Sequence, residues 1–192
     1  MRALATTAAL VAMTLAGCGA AFAHPLTGLD AQSFAAGFSH PLSGLDHVLG
    51  MVAVGLWAGL NGRRALLTWP GVAIGMMMLG GALGLASVPL PLAEAGIVAS
   101  LIVLGLLVLA RVRPPVWAGA PLIALFALAH GHAHGAEMPL EAATATYAAG
   151  FVSASGALIG VGVAIASAAK GRRIVPGAGA LIALAGIVLL AA

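Results

Sequence analysis

The chain has 192 residues, 62% hydrophobic and 7% charged, with a mean hydropathy of +1.13 and a formal net charge of +3. A soluble domain carries roughly a quarter charged residues, so the composition excludes an ordinary water-soluble globule and makes lipid the solvent for most of the surface. The basic balance does not point to nucleic acid, because the cations fall in three small clusters between long apolar runs and form no basic face.

Residues 1–23 read as a secretory signal: a basic Met1-Arg2, an apolar stretch from Ala8 to Ala16, and Ala21-Phe22-Ala23 as a small-residue cleavage site. Cleavage there leaves a single domain, residues 24–192, that begins with His24. A free amine on His24 can chelate a metal together with its own ring Nδ1. The competing reading is that Leu15-Ala16-Gly17-Cys18 is a lipobox, which would lipidate Cys18 and abolish that chelate.

The segment His24-Pro25-Leu26-Thr27-Gly28-Leu29-Asp30 recurs as His40-Pro41-Leu42-Ser43-Gly44-Leu45-Asp46, and only the second copy is followed by a histidine, His47. Proline is favoured in the first turn of a helix, so a helix is expected to start near Pro41, with Ala31–Ser39 at the membrane surface or extending that helix outward. About 20 mostly apolar residues cross a bilayer. On that rule the spans are Gly44–Leu60, Ala65–Ala86, Leu92–Ala110, Val116–His134, Ala143–Ala168 and Ile174–Ala191. The expectation is an all-α polytopic membrane protein with six transmembrane helices. Glycines such as Gly80, Gly84 and Gly162 suit close helix contacts, and Met76-Met77-Met78 reads as packing.

Arg63, Arg64, Arg111, Arg113, Lys170, Arg172 and Arg173 all fall in the first, third and fifth connections. Basic residues in short loops stay in the cytoplasm, which puts both termini in the periplasm of a bacterial cytoplasmic membrane. All six histidines and all five carboxylates then lie at or near the outer face.

Five of those histidines sit in two polar islands, His40–His47 and His130–Glu137. Imidazole with carboxylate suits divalent first-row metals such as nickel, cobalt or zinc. The i, i+4 spacing of His130 and His134 puts both rings on one helix face. Glu137 continues that face if the last turn holds, while His132 projects elsewhere. His40, Asp46, His47, His130, His134 and Glu137 therefore form the expected metal site, with His24 as a further candidate. Binding needs neutral imidazole, so it is expected to weaken, and any uptake that depends on it to fall, as pH drops through about 6.5.

The two islands resemble the motifs of the HupE/UreJ family. One is a histidine followed six residues later by Asp-His, met here by His40, Asp46 and His47. The other is Phe-His-Gly-x-(Ala/Val)-His-Gly-x-Glu, met by His130, Gly131, Ala133, His134, Gly135 and Glu137, with Ala129 in place of the phenylalanine. The resemblance implies a permease that imports Ni2+ or Co2+ and is indirectly linked to the maturation proteins of a nickel enzyme, hydrogenase or urease. It implies no catalytic residue and no cofactor; the metal is the transported ion. The partners are that divalent ion and the bilayer, and a homo-oligomer stays open. Two other readings compete. In an intramembrane zinc hydrolase, His47, His130 and His134 hold the metal, Asp46 is the base and Ser43 assists. In a non-conducting accessory protein, the same residues bind a metal and pass it to a partner.

Overall fold

A computed structural model describes residues 28–169 and 173–191, and these fold as seven helices. They are α1 (Gly28–Ser43), α2 (Leu45–Asn61), α3 (Arg63–Leu85), α4 (Ala93–Leu109), α5 (Val116–Ala136), α6 (Thr144–Ala168) and α7 (Ile174–Ala191). The all-helical expectation holds. In hydrocarbon every backbone N–H and C=O must find its partner within the segment, and a helix does this locally. The expected signal, Cys18 and His24 lie outside the described residues.

Four helices, α3, α5, α6 and α7, are each long and apolar enough to cross a bilayer. The fifth candidate is α1 with α2, a pair bent by 83° at the break between them, and α4 is a shorter apolar helix of 17 residues. The described residues thus give four or five spanning candidates by length and composition, where the sequence predicts six.

The start of the first span also differs from expectation. Pro41 lies inside the last turn of α1, and the chain breaks at Gly44, whose extended backbone (φ −95°, ψ 117°) precedes α2. Proline has no N–H to give the Gly37 carbonyl four residues back and its ring crowds that carbonyl, which favours ending the helix close by. The Ser43 hydroxyl donates to the His40 carbonyl at 2.6 Å, taking up one of the carbonyls orphaned at that end.

Packing fixes how the helices run. α3 lies along α5, α2 and α1 along α6, and α4 along α7. Trp69 meets Gly119 and His132 meets Gly84, so α3 and α5 share a direction. Val52 meets Gly162 and Ala166 meets Gly59, so α2 and α6 do too. Leu109 meets Gly179 and Ile102 meets Gly186, so α4 and α7 are antiparallel. At the arginine end, the rings of Trp57 and Trp69 lie 4.4 Å apart, and their indole N–H groups donate to the carbonyls of Val112 and Val116. Met77 is buried in the core, consistent with a packing role.

Candidate metal centre

The bend at Gly44 makes the site. It leaves His40 in the last turn of α1 and His47 in the first turns of α2, both facing the end of α5. On a straight helix the two rings, seven residues apart, would share one face at a separation of about 10 Å along the axis. The bent pair closes them around His134.

His134 is the hub. Its Nδ1 lies 2.9 Å from His40 Nε2 and 3.6 Å from Glu137 Oε2, and His40 Nε2 lies 3.3 Å from that carboxylate oxygen. Two donors each about 2.1 Å from an ion stand about 3.0 Å apart at a right angle and about 3.4 Å apart at the tetrahedral angle. The three edges of this triangle match those separations, so His40, His134 and Glu137 can share one ion. The other nitrogen of His134, Nε2, faces the opposite way and lies 3.0 Å from His47 Nδ1.

His47 is wholly buried, and its Nε2 lies 3.0 Å from the Ser155 hydroxyl on α6. Beyond it, 5.6 Å between ring centroids, is His130. Its Nδ1 donates to the Phe126 carbonyl at 3.1 Å. A carbonyl only accepts, so that nitrogen carries the proton and Nε2 keeps a bare lone pair. This Nε2 is buried and has no hydrogen-bond partner among the described residues. A buried polar atom left unpaired costs about 1–3 kcal/mol, an expense that a ligand would remove.

The structure therefore divides the six expected residues. His40, His134 and Glu137 form the outer triangle, and His47 and His130 lie deeper. Asp46 joins neither group: its carboxylate accepts the backbone N–H of His47 at 2.8 Å and sits on the positive end of α2. His132 projects elsewhere, as expected, and its Nε2–H donates to the Val88 carbonyl at 2.7 Å. Phe151 packs its ring 5.3 Å from both His47 and His134, and an apolar cavity of about 140 Å³ borders His134 between α3, α5 and α6.

Two comparisons bear on this geometry. Residues 9–189 match the family model described as HupE / UreJ protein. The chain belongs to the HupE/UreJ family. It is 38% identical over 171 residues to "Protein HupE" of Rhizobium leguminosarum bv. viciae, covering 88% of this chain and 90% of that protein. No solved structure matches it. HupE/UreJ proteins are accessory-type membrane proteins associated with hydrogenase and urease. The HupE/UreJ resemblance of the two islands did not reach Ser155, Phe151 or Tyr147, which α6 brings against the first island from more than one hundred positions beyond their partners there. The one signal available was a polar side chain within a spanning segment, which favours a functional role.

Proposed function

We propose that this protein is a secondary permease that carries Ni2+, or Co2+, from the periplasm across the cytoplasmic membrane to supply a nickel enzyme. The observation that carries the reading is a graded line of donors. Side-chain exposure falls from 62% at Glu137 to 25% at His40 and 14% at His134, and residue exposure is 0% at His47 and 1% at His130. An ion captured at the Glu137 end exchanges water for imidazole in steps as it passes inward. His134 presents Nδ1 to the capture triangle and Nε2 to His47, so one ring serves two successive positions.

A broken helix at the binding site supports the same reading, since transporters place ion sites where a discontinuous helix frees polar groups inside the protein. Six crossings with both termini outside follow if α4 spans. The Val88 carbonyl, just before it, bonds His132 at the histidine end, and the Val112 carbonyl, just after it, bonds Trp57 at the arginine end. Its 17 residues sit at the lower limit for a span. A membrane potential of 100 mV contributes about 4.6 kcal/mol to inward movement of a divalent ion, enough to drive accumulation without a nucleotide. The hydrolase reading is less well supported, because the Ser43 hydroxyl is engaged with the His40 carbonyl and the Asp46 carboxylate with the His47 backbone N–H in the first turn of α2.

The test is flux of Ni2+, Co2+ and Zn2+ into proteoliposomes containing this protein alone, with and without an imposed potential. Ni2+ influx that rises with an inside-negative potential and is lost in His47→Ala and His130→Ala is expected. Tight binding without flux would make the protein a non-conducting carrier instead.

Gly50 offers a finer test. A Cβ there would stand 3.2 Å from His130 Nε2, occupying the space before the bare lone pair. Gly50→Ala is expected to leave Ni2+ binding at the outer triangle within about twofold and to cut flux by about tenfold. Equilibrium binding and vesicle influx on the same preparation measure the two effects separately.

A further inference from the structure

We propose that Ser155 is a positioning residue: its hydroxyl accepts the Nε2 proton of His47 and thereby turns the Nδ1 lone pair of that ring toward His134 and the incoming ion. The inference rests on the permease reading for the identity of the ion, and on geometry alone for the role of the serine.

A neutral imidazole carries one proton, so His47 can ligate through Nδ1 only when Nε2 holds it. Metal-bound histidines are held in one tautomer by a partner at the far nitrogen. For His47 that partner is the Ser155 Oγ at 3.0 Å, itself fully buried. About one to two turns further along, α6 is held against α2 by close backbone approaches, Gly55 to Ile159 and Gly162 to Val52. The serine is thus fixed relative to the ring.

The choice of a hydroxyl has a consequence for transport. A carboxylate at this place would raise the basicity of the ring and hold the ion. A hydroxyl is neutral and can either accept or donate. With an ion at Nδ1, it accepts from Nε2–H. Without one, the proton can lie on Nδ1 toward His134, and the hydroxyl rotates to donate to Nε2. His47 is satisfied in both states, and binding stays weak enough for the ion to leave, as conduction requires.

The experiment compares the full-length protein with Ser155→Ala and Ser155→Asp. Ser100→Ala is the control, because that hydroxyl, equally buried, donates to the Ile97 carbonyl inside its own helix α4. Three quantities are measured: Ni2+ affinity, vesicle flux, and the 15N resonances of histidine-labelled protein with and without Zn2+, with His47 assigned from His47→Gln. Ser155→Ala is expected to lower affinity by about 10–100-fold and to change the tautomer ratio of His47, at an unfolding temperature equal to that of Ser100→Ala. Ser155→Asp is expected to bind Ni2+ more tightly and to pass it more slowly, a split that a merely structural serine would not produce. Wild-type affinity, flux and His47 resonances in Ser155→Ala would overturn the proposal. If wild type gives no flux while Ser155→Ala still shifts the His47 tautomer, the permease reading fails and the positioning role stands. If wild type conducts and Ser155→Ala changes nothing, the reverse holds.

Discussion

His134→Ala is expected to abolish Ni2+ flux and to weaken Ni2+ binding by at least about 100-fold. Loss of a mere supporting partner costs 10–100-fold at metal sites, and His134 is more than that. Among the described residues it is the one ring within 3.0 Å of both His40 and His47, and it also faces Glu137. Removing it breaks the triangle and disconnects the triangle from the deeper pair in one step. The fold should tolerate the change, because the ring already borders an apolar cavity of about 140 Å³. His132→Ala, two residues away on the same helix, removes a bond to the Val88 carbonyl only and is expected to leave Ni2+ affinity unchanged. Titration calorimetry of the two purified variants measures the contrast. Equal losses in both would mean that the end of α5, and not the donor geometry, controls binding.

The histidines of α5 were legible in the sequence because helical periodicity is local. The i, i+4 spacing of His130 and His134 needs only a regular helix, and α5 stays regular to Ala136, so both rings reach His47 and Glu137 caps the last turn. The bend in the first island was not legible. Pro41 fits both the first and the last turn of a helix, and a local rule cannot choose between them. What decides is tertiary: α1 packs along the first half of α6, with Gly37 against Tyr147 and Gly150 against Phe34, while α2 packs along the second half. The chain must turn at Gly44 to do both. The single six-residue site expected from the sequence became two levels for the same reason, since the bend sends His40 and His47 to opposite nitrogens of one ring. The role of Asp46 was hidden by a similar ambiguity. An aspartate beside a histidine can be a ligand or a first-turn acceptor for backbone N–H groups, and only the helix start at Leu45 puts Asp46 in a first turn. Counting spans by length fared least well at α2 and α4, each 17 residues long, where apolar length alone does not separate a span from half of one.

Gly131→Ala is expected to be among the most destabilising single methyl additions in the site region, lowering stability by about 2–3 kcal/mol, the upper part of the range for overpacking a filled core. α5 presents Gly131 to the backbone of Met77 and Gly135 to that of Gly81, so the two helices approach with no side chain between them. A Cβ at Gly131 would collide with the Met77 carbonyl, a backbone atom that cannot swing aside. The helices must then separate, and His130 and His134 on either side of Gly131 move with α5. Thermal unfolding in detergent should therefore show a lowered midpoint together with weakened Ni2+ binding. Gly75→Ala, on α3 where an added Cβ meets nothing within 4 Å, is the matched control. It should gain about 0.4–1 kcal/mol by restricting the unfolded chain and leave binding intact. The opposite signs matter for function: if close approach of α3 and α5 sets the height of the two histidines, stability and affinity fall together at Gly131 and part company at Gly75. A Gly131→Ala protein that unfolds and binds like wild type would show that the helices have slack, and the distances around His134 would then owe nothing to that contact.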